Sequence, residues 1–221
     1  MRKLLNIVTK NHESSKRKYL ERMINNKITC MKEAKKYSFN YWDGRRQFGY
    51  GGYKYIPGRW TDVANKIIKQ YKLNSKSKIL DAGCGKGYLL FEIKKKIPDI
   101  EICGFDISKY GIRNSKKEVR KYLFHHDISK KTKFKKNEFD LLISINCLHN
   151  LSQEKLSKSL DEISRISKNQ YICVESYRND KELFNLQCWA LTCQTFFSKK
   201  DWIFLFNQKK YFGDFEFIYF K

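Results

Sequence analysis

A glycine-rich stretch, KILDAGCGKGYLLFEI at residues 78–93, constrains the fold more than any other segment of the chain. A short apolar run ends at Asp81, glycines alternate at Gly83, Gly85 and Gly87, and apolar residues then recur at helical spacing. Glycine adopts positive φ angles without steric cost, and a backbone without a Cβ can approach a ligand closely. The segment therefore predicts a strand, a tight turn and a helix whose N-terminus faces a cofactor.

The spacing of these glycines differs from that of dinucleotide-binding turns. The pattern is G-x-G-x-G, and position 88 is Tyr where a dinucleotide site has a third glycine for packing the helix on the strand. The segment DAGCGKG resembles instead the first motif of class I S-adenosylmethionine (SAM)-dependent methyltransferases. A glycine-rich turn alone is a weak signal, so the interpretation depends on the segments that follow.

The composition is that of one domain with a substantial core. The chain has 221 residues, of which 41% are hydrophobic and 15% aromatic. It contains no apolar run of about 18 residues that would predict a membrane span, and the N-terminal run LLNIV is too short for a signal peptide. Seven cysteines without a C-x-x-C pair predict a reduced, cytoplasmic protein without a metal site. We expect a monomer or a homodimer.

The formal net charge of +23 raises the question of nucleic-acid binding. The excess is mostly lysine, spread from end to end among many Asn and Ile residues, as codon bias in an AT-rich genome would produce. The sequence has no appended RNA-binding domain and no basic helix with interleaved aromatic residues. We therefore favour a solvated surface over a nucleic-acid interface, which stays open as an alternative.

Residues 1–60 are predicted to form an N-terminal helical cap with a glycine-rich aromatic lid, and residues 61–221 the core. Residues 12–37 show helical periodicity, which predicts one or two amphipathic helices broken near Asn25. We expect these helices to lie over the front of the core through Leu20, Met23, Ile24, Ile28 and Met31.

Residues 41–60 contain five glycines, seven aromatic residues and three arginines, without a helical or strand period. Such a stretch is either an Ω-type loop packed by its own rings or a lid over a cofactor and substrate. We favour the lid. Its candidate substrate contacts are Tyr41, Tyr53 and Arg59.

Later strands also end in polar residues, at the edge of a parallel sheet where ligands bind. Asp106 ends the second predicted strand about 20 residues after the glycines, the spacing typical of a carboxylate that binds ribose hydroxyls. A helix-capping role is the alternative. The run FDLLISI at residues 139–145 predicts a buried central strand. FEFIYF at residues 215–220 is expected to close the sheet as an antiparallel strand.

Five segments in order resemble the motifs of class I SAM-dependent methyltransferases over residues 61–220: DAGCGKG, FDIS, HDIS, FDLLISINCLHNL and YICVES. The resemblance implies an α/β fold with a Rossmann-like, doubly wound, mostly parallel sheet of seven strands and helices on both faces. It also implies SAM as the cofactor and S-adenosylhomocysteine as the product.

The resemblance also implies which residues bind SAM. By this analogy Asp81 and the glycine turn hold its amino-acid portion, Asp106 its ribose, and Asp127 with Ile128 its adenine. The backbone of Asn146 would accept a hydrogen bond from the methionine amine. A turn-capping carboxylate is the alternative for Asp127. The full candidate set is Asp81, Gly83, Cys84, Gly85, Gly87, Asp106, Ile107, Asp127, Ile128, Asn146 and Leu148.

Two residues are candidates for the general base that a hydroxyl nucleophile needs. His149 follows the fourth strand and Glu175 ends the fifth, although each could instead have a structural role. Tyr177 and Arg178, just beyond the fifth strand, are candidate substrate contacts. Neither D-P-P-Y nor N-P-P-Y follows the fourth strand, which argues against methylation of the amino group of adenine or glutamine.

We therefore expect a SAM-dependent methyltransferase that acts on the hydroxyl or amine of a small molecule. The block YWDG…YGYGGY…GRW, with LHNL and VESYRN, resembles a bacterial group often encoded among cell-surface polysaccharide genes, which suggests a sugar or polysaccharide precursor. Two alternatives remain: an RNA or DNA methyltransferase that uses the lysine-rich surface, and a SAM-fold binding module without catalysis.

Overall fold

A parallel β-sheet forms the centre of the computed structural model, which describes residues 2–9, 12, 17–50 and 53–221. Within these residues the sheet has six strands in the order β3-β2-β1-β4-β5-β6, and every neighbouring pair is parallel. The α/β fold with a mostly parallel sheet is thus confirmed. The strands are β1 (Lys78–Ala82), β2 (Glu101–Asp106), β3 (Leu123–His125), β4 (Phe139–Ile145), β5 (Ser167–Glu175) and β6 (Asp214–Ile218).

Helices connect the strands and form the N-terminal part of the described chain. No helix in that described part is long and apolar enough to cross a membrane. Short 3-10 helices lie at Arg46–Phe48 and Leu148–Asn150. The α-helices are α1 (Tyr19–Ile24), α2 (Lys27–Ala34), α3 (Phe39–Trp42), α4 (Thr61–Tyr71), α5 (Tyr88–Lys96), α6 (Lys109–Arg113), α7 (Lys117–Arg120), α8 (Gln153–Ile166), α9 (Asp180–Trp189) and α10 (Lys199–Gln208).

Alternation along the strands divides the core between the two faces of the sheet. In β4, Leu141 and Ile143 belong to one apolar cluster and Leu142 to the other, because successive side chains of a strand point to opposite faces. The first cluster includes buried residues of α4, α5 and α9, and the second includes buried residues of α8 and α10. Helices therefore cover both faces, as expected for a doubly wound sheet.

The last strand differs from the expectation in number and direction. The described residues contain six strands rather than seven, and β6 runs parallel to β5, with Tyr171 opposite Asp214 and Glu175 opposite Ile218. The expected antiparallel strand is therefore wrong. The chain leaves the carboxyl end of β5, passes through α9 and α10, and enters β6 from the opposite edge, which is the connection that parallel strands require.

An N-terminal segment pairs with the outer edge of β6. The amide of Leu5 donates to the Phe215 carbonyl at 2.8 Å, and the Phe215 amide donates to the carbonyl of Lys3 at 3.0 Å. The buried Glu216 carboxylate then accepts hydrogen bonds from the backbone amides of Ile7, Val8 and Thr9 at 2.6–2.9 Å. This pairing covers the edge strand and brings the start of the chain towards the carboxyl ends of the strands.

The N-terminal helices break where expected but expose the residues that were expected to pack. Asn25 and Asn26 separate α1 from α2, and Asn26 has a left-handed φ of 46°. Cys30 and Ala34 are the buried residues of α2, whereas Leu20, Ile24 and Ile28 are 63%, 81% and 71% exposed. The helical period was therefore correct, and Met31 packs against a small buried cluster, but the prediction that Leu20, Ile24 and Ile28 face the core was wrong.

Candidate functional site

A cavity of about 580 Å³ lies at the carboxyl ends of the strands. The order of the sheet reverses between β1 and β4, and the loops after such neighbouring strands diverge and leave a crevice. The glycine turn, the ends of β2, β4 and β5, and residues 41–60 contribute to its walls. Its volume is within the range of small-molecule sites, about 300–1,000 Å³.

The glycine turn forms one wall and leaves no room for side chains. Gly83 and Gly85 have φ values of +87° and +55°. A Cβ on Gly83 would lie 2.6 Å from Cys147 Sγ, and one on Gly85 would lie 2.7 Å from the ring of Trp42. The turn is held against β2, because the amides of Gly83 and Cys84 both donate to the Phe105 carbonyl. Glycine is thus required here by both backbone conformation and space.

Asp106 at the end of β2 faces the cavity with hydrogen-bonding capacity to spare. Its Oδ2 accepts from the Gly85 amide at 2.9 Å and its Oδ1 from the Ser108 amide at 2.7 Å. Burial raises the pKa of Asp106 against the lowering effect of these two bonds. A carboxylate has about four lone-pair positions, so about two remain for a ligand.

Asp81 and Asp127 differ in their surroundings. Burial, followed by the nearby charge of Asp106, raises the pKa of Asp81 to about 7. Asp127 accepts hydrogen bonds from the amide and hydroxyl of Ser129 at 2.9 and 2.8 Å. Burial tends to raise the pKa of Asp127, but these bonds outweigh it and lower the pKa. Asp127 therefore caps a turn and also lines the cavity. Ile107 and Ile128 line the same cavity.

Two asparagines after β4 present unpaired acceptors. Asn146 has a positive φ of 55°, and its carbonyl accepts from Asn150 Nδ2 at 3.1 Å. The side-chain oxygens of Asn146 and Asn150 are buried and receive no hydrogen bond within the described part of the chain. Because an unpaired buried acceptor is costly, these atoms need a donor from a ligand or an ordered water.

His149 and Glu175, the two candidate bases, contact each other in the cavity wall. The Glu175 amide donates to His149 Nδ1 at 3.2 Å, so the neutral ring carries its proton on Nε2, which lies 3.4 Å from Glu175 Oε2. Burial, and then the charge of His12, lowers the pKa of His149 to about 3. Burial raises the pKa of Glu175 to about 7 against a smaller opposing effect of Arg17.

These contacts distinguish the two groups chemically. The lone pair of His149 is occupied by a backbone amide, and its pKa is far below neutral pH. Glu175 Oε2 is buried and makes no hydrogen bond among the described residues, although His149 Nε2 lies 3.4 Å away, and the pKa of this carboxyl is close to 7. A general base works best with a pKa near the working pH and a free lone pair, and Glu175 meets both conditions.

Aromatic rings from residues 41–60 form the opposite wall. The ring centroids of Tyr41, Trp42 and Tyr53 lie 4.7–5.1 Å from one another. Trp42 Nε1 donates to Ser108 Oγ at 2.7 Å, which joins this wall to the loop after β2. Tyr41, Tyr53 and Arg59, the three substrate contacts predicted from this stretch, all line the cavity.

A buried ion pair also fastens this wall to the glycine turn. Lys86 is only 6% exposed, and its Nζ lies 2.7 and 2.8 Å from the two carboxylate oxygens of Asp43. The Tyr110 hydroxyl donates to the same carboxylate at 2.9 Å. The lysine within the glycine motif therefore fastens the segment around Asp43 to the turn.

We expect Lys86→Met to destabilise the protein by about 3 kcal/mol, measured by urea unfolding, because it leaves the Asp43 carboxylate without its cation. The matched control is Lys158→Met, which removes an exposed lysine whose partner is Glu154 and should change stability by less than about 1 kcal/mol. Equal, small effects of the two substitutions would show that the buried pair does not hold this wall.

Four predicted site residues lie outside the cavity lining. Gly87 is the N-cap residue of α5, and a Cβ there would lie 2.8 Å from the side chain of Leu123, so this glycine allows close packing. Leu148 is fully buried in the core. Tyr177 forms a bridge with Ser198, and Arg178 pairs with Glu182 on α9. The predictions that Tyr177 and Arg178 contact substrate, and that Gly87 and Leu148 contact cofactor, are not supported by this placement.

The structure adds lining residues that were not predicted. Half of the main additions lie within the aromatic stretch at 41–60 or the motif segments: Trp42, Arg46, Tyr50, Lys86 and Asn150. The others lie in residues 12–37, in α9 or at the C-terminal end, where no motif marked them as site residues. The main additions are His12, Arg17, Tyr37, Trp42, Arg46, Tyr50, Lys86, Asn150, Trp189 and Phe220.

Solved structures share this fold. One is a chain of the Haloferax volcanii complex between the Trm112 methyltransferase activator and a protein described as a methyltransferase. It is 20% identical with a TM-score of 0.53, and the match covers 66% of this chain and 65% of that chain. The YcgJ protein of Bacillus subtilis is 17% identical with a TM-score of 0.52, with 66% of each chain covered. The MccD protein is 18% identical with a TM-score of 0.51, with 68% and 69% covered.

Sequence identities this low show a common fold, and they do not show a common activity or substrate. The present chain spans just under two thirds of the length of the Haloferax and Bacillus proteins. No curated protein sequence matches it.

A family model gives the assignment. The model described as a methyltransferase domain matches residues 73–214, from the end of α4 to the start of β6. The match therefore includes the glycine turn, Asp106, the segment after β4 and Glu175. Since it covers well over half of the 221 residues, this chain belongs to the methyltransferase-domain family.

Proposed function

We propose that this chain is a cytoplasmic SAM-dependent methyltransferase that methylates a hydroxyl or amine of a small molecule, such as a sugar or a surface-polysaccharide precursor. The observation that carries the proposal is the Glu175 carboxylate. It is buried, has an unpaired Oε2 and a pKa near 7, and lines the same cavity as the glycine turn. Cofactor-binding groups and a candidate base thus share one enclosed space.

The residues present fit SAM. Asp106 has lone pairs left for the ribose hydroxyls, and the glycine turn offers a backbone surface that a Cβ would obstruct. The unpaired Asn146 Oδ1 would accept from the amino group of the methionine portion. Asp127, Ile107 and Ile128 would surround the adenine. When bound, SAM supplies a methyl group activated by a positively charged sulfur.

The chain's own residues would orient the acceptor and remove its proton. Alignment of reacting groups in an enclosed site can contribute about 7–11 kcal/mol. In our proposal Glu175 accepts the proton from the acceptor. His149 is a positioning residue, because its Nδ1 holds the Glu175 amide and its Nε2–H faces the carboxylate. Residues 1–60 act as a cap and lid over a core at residues 61–221.

The test is transfer of isotope-labelled methyl from SAM at about 0.15 M salt, where surface charge is partly screened. The protein is incubated separately with an ultrafiltered small-molecule extract and with total RNA and DNA. We expect label only in the small-molecule fraction. Label in polynucleotide that falls steeply with added salt would favour the nucleic-acid alternative, which the charge of +23 keeps open. SAM binding without transfer to either fraction would favour the non-catalytic module.

A further inference from the structure

The two halves of the cavity differ in charge. Asp81, Asp106 and Asp127 line the half formed by β1, β2 and β3. Three arginines, Arg17, Arg46 and Arg59, line the same cavity, and we call them the arginine rim. The rings that Arg17 and Arg46 contact, Trp189 and Phe220, follow β5 and β6 in the sequence, on the other side of the sheet. The three aspartates therefore lie at the proposed cofactor half, whereas Arg17 and Arg46 lie at the other half, near Glu175.

Arg17 contacts two aromatic rings of this second half. Its guanidinium carbon is 5.0 Å from the centroid of the Phe220 ring and 5.5 Å from that of Trp189. One Nη donates to the His12 carbonyl at 3.1 Å, and the other lies 3.3 Å from His12 Nδ1. Arg17 is also near enough to Glu175 to oppose the rise in its pKa. A cation is thus held beside the proposed base.

The other two arginines contribute to the same positive region. The guanidinium of Arg46 lies 5.8 Å from the Trp189 ring centroid. The pKa of His12 is lowered to about 4, first by burial and then by the charges of Arg17 and Arg59. Both arginines therefore lie near the His12 imidazole. His12 Nε2 in turn lies 3.5 Å from Asn146 Nδ2. The positive region therefore extends from Trp189 to the segment after β4.

The Glu175 carboxylate is within electrostatic reach of Arg17, but the arginine rim has no direct ion pair with a carboxylate in the part of the chain that the structure describes. Two neighbouring cations have partners within the protein. Lys86 forms an ion pair with Asp43, and Arg22 donates hydrogen bonds to the carbonyls of Trp189 and Gly49 at 2.9 and 2.8 Å. Guanidinium groups without a direct ion pair in a concave site favour an anion, with carboxylate and phosphate the best geometric match.

The same region also lacks hydrogen-bond donors for its acceptors. The side-chain oxygens of Asn150 and Glu175 noted above are buried and make no hydrogen bond among the described residues, and Asn146 Oδ1 is already assigned to the cofactor. A ligand that satisfies this half of the cavity therefore needs an anionic group for the arginines and O–H or N–H groups for these oxygens. A neutral sugar or a simple amine would meet only one of the two requirements.

We propose that the methyl acceptor is a small anion that carries a carboxylate or phosphate group, bound by the arginine rim, together with the hydroxyl or amine that is methylated beside Glu175. This inference rests on the proposed methyltransferase function. The acceptor's oxygen or nitrogen forms the new bond to the methyl carbon, the carbon–sulfur bond breaks with its electron pair left on sulfur, and the acceptor's proton passes to Glu175. The arginines hold the anionic group and take no part in the transfer.

The test measures binding of inorganic phosphate and of acetate to the protein saturated with S-adenosylhomocysteine. Phosphorus NMR line broadening and saturation transfer to the acetate methyl group report the two anions, at about 0.15 M sodium chloride. We expect at least one anion to bind with a Kd of about 1–10 mM, as suits so small a ligand. Stronger binding of phosphate would indicate a phosphorylated acceptor, and stronger binding of acetate a carboxylated one.

The controls separate the rim from the general surface charge. Arg17→Met and Arg59→Met should each weaken anion binding about tenfold and leave the Kd of S-adenosylhomocysteine within about twofold of wild type. Lys158→Met removes a remote surface charge and should leave anion binding unchanged.

Three results would overturn the inference: no saturable anion binding, equal binding by the Arg17→Met variant, or a parallel loss of S-adenosylhomocysteine binding in both arginine variants. The third result would assign the arginines to the cofactor. Failure of the wild-type protein to bind S-adenosylhomocysteine at all would instead contradict the proposed function.

Discussion

Asp106→Ala should raise the Kd of S-adenosylhomocysteine at least about 100-fold in calorimetric titration. The carboxylate has about two lone pairs available for ribose hydroxyls, and a hydrogen bond to a charged group contributes about 1.5–3 kcal/mol. Loss of two such bonds corresponds to about 3–6 kcal/mol, and each 1.4 kcal/mol is about tenfold in affinity. This is the largest effect on cofactor binding that we expect from one side chain.

The control for this substitution is Asp161→Ala. Asp161 also carries a carboxylate, but it pairs with Lys209 on the surface and does not line the cavity. Its variant should bind S-adenosylhomocysteine as the wild type does. Asp106 also accepts hydrogen bonds from the amides of Gly85 and Ser108, so its loss could destabilise the protein. Thermal unfolding must therefore show that Asp106→Ala is folded at the titration temperature. A folded Asp106→Ala protein with wild-type affinity would remove Asp106 from the cofactor site.

Glu175→Gln should lower kcat by about 100- to 10,000-fold, the usual contribution of a general base, without changing the Kd of S-adenosylhomocysteine. Glutamine keeps the size of the side chain but cannot accept a proton. The base form of Glu175 is the ionised carboxylate, and burial raises its pKa to about 7. The wild-type rate should therefore rise with pH through a midpoint near 7, and the variant should lose this rise.

The pH profile also distinguishes Glu175 from His149. The pKa of His149 is lowered to about 3, so its neutral form prevails at all pH values well above 3 and its titration cannot produce a rise near pH 7. His149→Gln should disturb the position of Glu175 and shift this rise without removing it. A rise near pH 7 that persists in Glu175→Gln and disappears in His149→Gln would reverse the two roles.

The sequence alone identified most of the residues that line the cavity at the ends of β1, β2 and β3. The residues concerned lie within a few positions of strand ends: Asp81, Gly83, Gly85 and Asp106. Because the strands are parallel, their carboxyl ends and these residues meet at the same edge of the sheet. Hydrophobic runs such as FDLLISI identify buried parallel strands, because both faces of the sheet are covered. Local chemistry therefore predicted the sheet, its helices and the residues at its carboxyl edge.

The direction of the last strand required the tertiary structure. FEFIYF has the same apolar character whether its strand runs parallel or antiparallel to β5. Only the path through α9 and α10 decides which edge of the sheet the chain re-enters. In the same way, helical periodicity located α1 and α2 but could not show that Leu20, Ile24 and Ile28 point away from the core.

The proposed acceptor half of the site also required the tertiary structure. The contact between His149 and Glu175 depends on the pairing of β4 with β5, and Lys86 reaches Asp43 across 43 positions of sequence. Arg17 lies against Trp189 and Phe220, which are near the opposite end of the chain. The sequence by itself determined the elements and the residues at their ends, because those depend on neighbouring residues. Only packing between distant segments decided which base, cations and rings share the cavity.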